Sequence, residues 1–157
     1  MSERLTSPRE PLPPDANLGY LFRLAHQRFR ARLDNELEDL GLSAQEYGIL
    51  SVFEDRSELS VSKLARISQV TRQTMHTSIL GLEAAGLVER RARNQRVVSV
   101  CPTERGRTRL QAATRRVRGV ERAALAGLSG DEERTVRRWL ADVLAMPTSP
   151  RARKEKS

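Results

Sequence analysis

The feature that most constrains the fold is a pair of short helical segments separated by only a few residues. Ser60 can cap a helix over roughly residues 61–67. Thr71 can cap a second helix that runs to about Ala85 and stops at Gly86. Two short helices joined by three or four residues predict a helix-turn-helix.

A β-hairpin is predicted directly after this pair of helices. Two β-prone runs, over residues 87–92 and 97–101, are joined by the basic segment 93–96. Pro102 cannot extend the ladder, and Thr103 can cap a following helix. Residues 55–59, just before Ser60, leave room for only a very short strand. The order of elements is that of a helix-turn-helix followed by a wing.

Longer amphipathic helices flank this middle part. Apolar residues recur at three- and four-residue steps from Leu18 to Leu40, and Gly41 ends that helix. Ser43–Glu46 is a capping box that opens a short second helix. After the hairpin, a long helix is predicted from Glu104 to about Ala126.

A second capping box, Ser129–Glu132, opens a last helix that Pro147 ends. We expect a mainly α fold with a small β-hairpin wing. The outer helices carry more apolar surface than so small a middle part can cover, which favours a homodimer formed through them.

The charge of the chain points to a polyanionic partner. Its 157 residues carry a net charge of +8, and residues 90–118 contain ten arginines but a single acid, Glu104. No apolar run is long enough to cross a membrane, and the N-terminus lacks the apolar stretch of a secretory signal. With one cysteine, Cys101, and no leader, we expect a cytoplasmic protein.

The helix that begins at Thr71 has two chemically different faces. Met75, Ile79 and Leu82 lie within about 60° of one another, so they should face the core. Gln73 and Thr77 point the opposite way and carry the groups that read base edges in the major groove. An ordinary polar surface helix is the alternative. The adjoining hairpin, with arginines 90, 91, 93 and 96, favours DNA over that alternative, although such charges could also protect a sheet edge.

Residues 17–145 resemble the MarR family of transcriptional regulators. The resemblance rests on four motifs: Ser60 with Leu64–Ala65, the opening of the next helix at 70–75, the segment Leu82–Val88, and Thr103–Gly106. It implies a triangular homodimer whose first, fifth and sixth helices intertwine. It also implies regulation of a nearby gene, expected to be repression, relieved by a small aromatic or anionic effector.

Carried over by position, the resemblance implies a set of DNA contacts. They lie in the third helix (Ser62, Lys63, Arg66), in the fourth (Thr71, Arg72, Gln73, Thr74, His76, Thr77) and in the wing (Arg93, Arg96).

The chain departs from the family at three points. Asn94-Gln95-Arg96 replaces an Asp-x-Arg wing motif, so an acidic partner for Arg96 is missing. The wing is also shorter by two or three residues. Thr77 and Gly81 stand where many members carry a cation, which should shift affinity towards the wing and the third helix.

These expectations divide the chain into regions. A flexible Pro-rich arm covers residues 1–16, a helical dimerisation region 17–41 and 103–147, a winged helix-turn-helix DNA-binding region 42–102, and a basic disordered tail 148–157.

An effector site is predicted at His26, Arg30 and Tyr47. An anionic aromatic ligand would use the Arg and His charges beside an aromatic ring. The alternative, an interfacial His with solvated arginines, stays open. Cys101 is expected to be a buried structural cysteine rather than a redox sensor.

We expect neither a metal nor a cofactor, because His26, His76 and Cys101 lie far apart in the sequence. The sequence shows no nucleophile-and-base arrangement that would indicate an enzyme. Two other functions compete with sequence-specific regulation: nonspecific or architectural nucleic-acid binding, and a protein-interaction module that has lost DNA reading.

Overall fold

The computed structural model describes residues 17–94 and 97–147, and over these residues the fold is mainly helical with a small antiparallel sheet. The helices are α1 Leu18–Leu37, α2 Ala44–Ser51, α3 Val61–Ile67, α4 Arg72–Ala84, α5 Glu104–Ala124 and α6 Gly130–Leu144; the strands are β1 Leu59–Ser60, β2 Val88–Asn94 and β3 Val97–Pro102. This confirms the predicted fold class. The predicted arm 1–16, the tail 148–157, and the wing residues Gln95 and Arg96 lie outside the described residues.

Local side-chain chemistry sets the helix starts, as the capping boxes predict. In α2, the Ser43 hydroxyl accepts from the Glu46 amide at 3.2 Å, and the Glu46 carboxylate accepts from the Ser43 amide at 2.9 Å. In α6, the Glu132 carboxylate accepts from the Ser129 amide at 2.7 Å. Each pair satisfies amides that the first helical turn would leave without a partner.

Two element boundaries differ from the sequence prediction. The first helix stops at Leu37 and continues as a 3₁₀ turn over Glu38–Leu40, before Gly41 turns the chain at a φ of 62°. The wing strands are longer than predicted, because Arg93 and Asn94 belong to β2 and a register shift between Ala92 and Asn94 absorbs the extra residue.

Pro102 is also part of the ladder, as the last residue of β3 opposite Val88. The ladder ends there, so a residue without an amide proton is tolerated at this position.

The chain divides into two compact units, with the boundary between Val117 and Arg118 inside α5. We call the described residues 17–94 and 97–117 the first unit, and residues 118–147 the second unit. These two units do not test the predicted dimerisation and DNA-binding regions, which stay a prediction.

The first unit has a closed apolar core around a sheet in the order β1-β3-β2. Helices α1 to α5 each contribute to that core, and its fully buried large side chains are Leu37, Ile49, Leu50, Phe53, Leu64, Met75, Ile79, Leu82, Val88 and Val100. Burial on this scale is the main favourable contribution to the stability of the unit.

A tight joint connects the start of α5 to the end of α4 and the start of β2. The Thr103 hydroxyl donates to the Gly86 carbonyl at 2.7 Å and accepts from the Gly106 amide at 3.0 Å. The Thr103 amide donates to the Leu87 carbonyl at 3.0 Å. A Cβ on Gly106 would overlap the Leu87 carbonyl oxygen, so glycine is required for this approach.

The second unit contains the end of α5 and all of α6. Apolar side chains of α6 remain exposed, among them Trp139 at 40% and Leu144 at 75%. Acidic residues begin the helix, and Arg137 pairs with Glu133 at 2.7 Å. Within residues 17–94 and 97–147, every helix is too short or too polar to cross a membrane.

Candidate nucleic-acid interface

The turn between α3 and α4 is short and well bonded. The Val70 amide donates to the Ala65 carbonyl at 3.1 Å, and the Ser68 amide donates to the Leu64 carbonyl at 2.9 Å. Between them, Gln69 adopts a φ of 53°, a left-handed conformation that usually favours glycine. This turn sets the angle between the two helices.

Both helices start at the predicted capping residues. The Ser60 hydroxyl accepts from the Lys63 amide at 3.3 Å, and the Thr71 hydroxyl accepts from the Thr74 amide at 3.1 Å. The remaining free amides of the first turn of α4 point out of the helix end, where the helix dipole favours an anion.

The two faces of α4 are those predicted from the sequence. Met75 and Ile79 are fully buried, and Leu82 is 1% exposed. All six predicted contact residues of this segment are exposed: Thr71, Arg72, Gln73, Thr74, His76 and Thr77. On α3, the predicted contacts Ser62, Lys63 and Arg66 are exposed as well.

Internal hydrogen bonds restrict what the threonines of α4 can offer to a ligand. The Thr77 hydroxyl donates to the Gln73 carbonyl at 3.2 Å. Its single proton is therefore engaged, and towards solvent it presents lone pairs and a methyl group. The Thr71 and Thr74 hydroxyls lie 2.8 Å apart and bond to each other. Gln73 has both an amide donor and a carbonyl acceptor on the exposed face.

The wing arginines are not equivalent. Arg91 pairs with Glu89 at 2.5 Å, and Arg90 lies 3.3 Å from the Glu83 carboxylate. Two of the four wing cations are therefore partly neutralised within the chain. Of the predicted wing contacts, Arg93 lies in β2, and Arg96 is outside the described residues.

The three predicted effector residues differ in their surroundings. His26 and Arg30 are on the exposed side of α1, and Tyr47 is half-buried against the core. Arg30 forms an ion pair with Asp34 at 3.8 Å.

Arg30 also lines a surface groove of about 510 Å³ between α1 and α2, which His26 and Tyr47 do not line. Asp34, Glu38 and Glu46 surround the one guanidinium there, so the groove itself disfavours an anion. The effector site stays a prediction.

Cys101 is a buried cysteine, as predicted. It is 4% exposed, and its thiol lies 3.5 Å from the Glu89 carboxylate and 3.7 Å from the Glu89 carbonyl. Burial, together with the hydrogen bond to Glu89, raises the pKa of the Cys101 thiol. Both effects suppress the reactive thiolate.

Sequence reasoning did not find the side chains that hold α2 against its neighbours. Asp34 of α1 accepts from the Ala44 amide at 2.6 Å, and Gln45 donates to the Ser78 hydroxyl of α4 at 2.9 Å. These partners are 10 and 33 residues apart, so no local motif marks them. The "T-x-x-G" motif at Thr103–Gly106 is one of the four motifs of the family resemblance. The joint between α4, β2 and α5 supplies its physical reason, because Thr103 bonds to the Gly86 carbonyl and Gly106 leaves room for the Leu87 carbonyl.

Known proteins resemble this chain over most of its length. A MarR-family sequence profile matches residues 40–96. An HTH-type transcriptional repressor of Mycobacterium tuberculosis, Rv2887, is 34% identical over 131 residues, which cover 82% of this chain and 94% of that protein.

Solved structures of Rv2887 are similar in fold as well. Its complex with DNA has a TM-score of 0.67 at 33% identity, covering 82% of this chain and 98% of that one. Its complex with salicylic acid has a TM-score of 0.66 at 34% identity, covering 84% and 99%.

Proposed function

Because the chain belongs to the MarR family, we propose that it is a transcriptional repressor that binds a palindromic DNA operator as a homodimer. The observation that carries this proposal is the division of α4 into a buried apolar face and an exposed face of short polar groups. Such a face can enter the major groove, and we call α4 the recognition helix from here on.

Contacts to the DNA backbone are proposed for the cations and the helix end around the recognition helix. Ser62, Lys63 and Arg66 of α3 are exposed and suited to phosphate oxygens, as is the amino end of the recognition helix at Thr71 and Thr74. Arg93 and Arg96 of the wing are proposed to reach the minor groove. With Arg90 and Arg91 partly neutralised, the wing depends on these two cations.

The homodimer is proposed to form through the outer helices. The exposed apolar side chains of α6 are of the kind that a second copy would cover, and a palindromic operator matches a two-fold dimer. The regulator would act in the cytoplasm, where it meets chromosomal DNA, and the proposal includes no catalytic activity.

Control by a small aromatic acid is part of the proposal. It is supported by the relative Rv2887, which has been solved with salicylic acid. His26, Arg30 and Tyr47 are the proposed contacts. An effector can shift the regulator away from DNA only by its differential affinity for the two states.

The test of the function starts from a duplex selected by the wild-type protein from a randomised library. Gln73→Ala and Thr77→Ala should each weaken binding to that duplex by roughly 1–3 kcal/mol and lower discrimination against random DNA. Gln111→Ala, at an exposed glutamine of α5, is the matched control and should leave both affinities unchanged. Parallel weakening on both duplexes would indicate nonspecific binding, and no selection at all would favour an interaction module.

The wing and the effector have separate tests on the same duplex. Arg96→Ala should weaken all DNA binding and reduce the salt slope by about one per half-site, whereas Arg138→Ala on α6 should not. Salicylate should release the wild-type protein but not Arg30→Ala. If no aromatic acid at millimolar concentration alters binding, the effector proposal fails and the DNA-binding proposal does not.

A further inference from the structure

A hydrogen-bonded bridge connects α2 to the middle of the recognition helix. The Gln45 side-chain amide donates to the Ser78 hydroxyl at 2.9 Å, and that hydroxyl donates to the Thr74 carbonyl at 3.1 Å. A serine hydroxyl has one proton, and here the Thr74 carbonyl receives it. In this arrangement Gln45 is the donor that completes the bridge.

The α2 end of this bridge is itself held from α1. The Asp34 carboxylate accepts from the Ala44 amide at 2.6 Å, next in sequence to Gln45. The capping box satisfies two further amides of the same turn, those of Ser43 and Glu46. The half-buried side chain of Gln45 therefore extends from a turn that is held both by α1 and by its own capping box.

On the other side, the bridge meets the recognition helix where its two faces join. Ser78 is half-buried beside the fully buried Ile79, and Thr74 bonds to the capping residue Thr71 on the exposed side. One turn further on, a Cβ at Gly81 would lie 3.7 Å from the Glu46 carboxylate. The recognition helix therefore approaches the first turn of α2 closely.

Burial of an apolar face sets the rotation of a helix about its own axis only to within the width of that face, because the hydrophobic effect is non-directional. The buried side chains of the recognition helix therefore fix its depth in the core and its approximate rotation. A hydrogen bond depends on angle as well as distance, and bidentate contacts to a base tolerate little misplacement. A directional contact between the buried and exposed faces is suited to set that rotation.

From this geometry we infer that Gln45 is a positioning residue that sets the orientation of the recognition helix through Ser78, and so determines discrimination between DNA sequences without touching DNA. The inference rests on the proposed function. Asp34 extends the same bonded path to α1, so the orientation of the recognition helix is tied to the first helix of the chain.

The test compares five variants of the full-length protein on the selected duplex and on random duplex of equal length. Gln45→Ala, Gln45→Met and Ser78→Ala each break the bridge and should lower the ratio of the two affinities about 3- to 10-fold. The methionine variant keeps the side-chain length but has no amide to donate, and it adds no charge that would repel DNA.

Ser78→Thr keeps the hydroxyl and should stay within about 2-fold of the wild-type ratio. The double variant Gln45→Ala/Ser78→Ala should lose no more than either single change, because both remove one bridge. Thermal unfolding of all variants separates orientation from stability, and the melting temperature of Gln45→Met should remain close to wild type.

Two results would overturn the inference while leaving the proposed function intact. One is a wild-type affinity ratio in all three bridge-breaking variants. The other is a parallel loss of both affinities that tracks a lower melting temperature, which would mean a merely structural role. A wild-type protein that selects no duplex would instead refute the proposed function, and this inference with it.

Discussion

The recognition helix and α6 are similar in length but are covered very differently. The recognition helix places Met75, Ile79 and Leu82 in the core of its own chain, with at most 1% of each exposed. None of the 15 residues of α6, all of them described, is buried within the chain, and Leu144 is 75% exposed. The first unit therefore closes its own core, whereas the amphipathic face of α6 stays exposed within the described chain, where the proposed homodimer would cover it.

The strongest test of this contrast is a truncation inside the core of the first unit. Ile79→Ala removes a fully buried side chain and should lower the free energy of unfolding by about 2–5 kcal/mol, from lost burial and the cavity left behind. The neighbouring Leu80 is 47% exposed, so Leu80→Ala is the matched control and should change little. Urea denaturation at one fixed protein concentration measures both. Equal losses would contradict the two-faced helix.

The next test addresses the uncovered face of α6. Leu140→Asp should raise the dimer dissociation constant about 30-fold or more, equivalent to about 2 kcal/mol, because a charge would be buried without a partner. Sedimentation at micromolar concentration should shift from twice the chain mass towards 17.7 kDa. Arg138→Asp, on the opposite side of the helix, makes a larger change in charge and should leave the dimer intact. A wild-type monomer would refute the dimer outright.

Alanine substitutions at two glycines of α5 should change the stability by smaller amounts and in opposite directions. Gly106→Ala should destabilise the protein by about 1–3 kcal/mol, because its Cβ would overlap the Leu87 carbonyl at the joint. At Gly119 an added Cβ meets no described atom within 4 Å outside its chain neighbours and its own helix backbone, so Gly119→Ala should stabilise the helix by about 0.5–1 kcal/mol. Thermal denaturation measures the stability of both variants against wild type. A loss at Gly119 would show that a second chain approaches it.

The smallest expected effect is a pH-dependent ion pair within the first unit. Hydrogen bonds from Arg116 lower the pKa of Asp39, and Arg116 also donates to the Glu36 carbonyl at 2.9 Å. A lowered folded-state pKa contributes stability above about pH 4 that is lost as the pH falls through the depressed pKa.

Arg116→Ala should therefore be less stable than wild type at pH 7, and the difference should shrink on acidification. The adjacent exposed Arg115 supplies the control variant, Arg115→Ala, whose difference from wild type should not follow that titration. Chemical denaturation at a series of pH values measures both differences, and a constant deficit for Arg116→Ala would assign the effect to packing of its side chain instead.

The parts of the fold that were predicted from sequence are those fixed by neighbours along the chain. Ser43 with Glu46, and Ser129 with Glu132, lie three residues apart and satisfy amides of the same turn, so each start was visible as a motif. The two faces of the recognition helix followed from its period alone. The period also indicated Gln73 and Thr77 on the outward face, whereas the other candidate contacts on α3 and α4 were implied by the family resemblance.

What sequence reasoning missed depends on the meeting of distant segments. Arg116 and Asp39 are 77 residues apart, and the left-handed turn at Gln69 carries no glycine to mark it. The ion pair of the wing residue Arg90 could not be anticipated either, because Arg90 meets Glu83 only once β2 lies beside α4. Such pairings are products of the tertiary structure, and period or capping rules cannot anticipate them.

The exposed face of the recognition helix also has a consequence for how such a regulator can change over evolutionary time. Arg72, Gln73 and His76 have no place in the core, so substitutions there should alter stability by only about 0.5 kcal/mol. Under the proposed function, new operator preferences can therefore arise by single substitutions that leave folding intact. Met75 and Ile79, on the same helix, have no such freedom. A duplicated copy of this gene could acquire a different target while keeping the same scaffold.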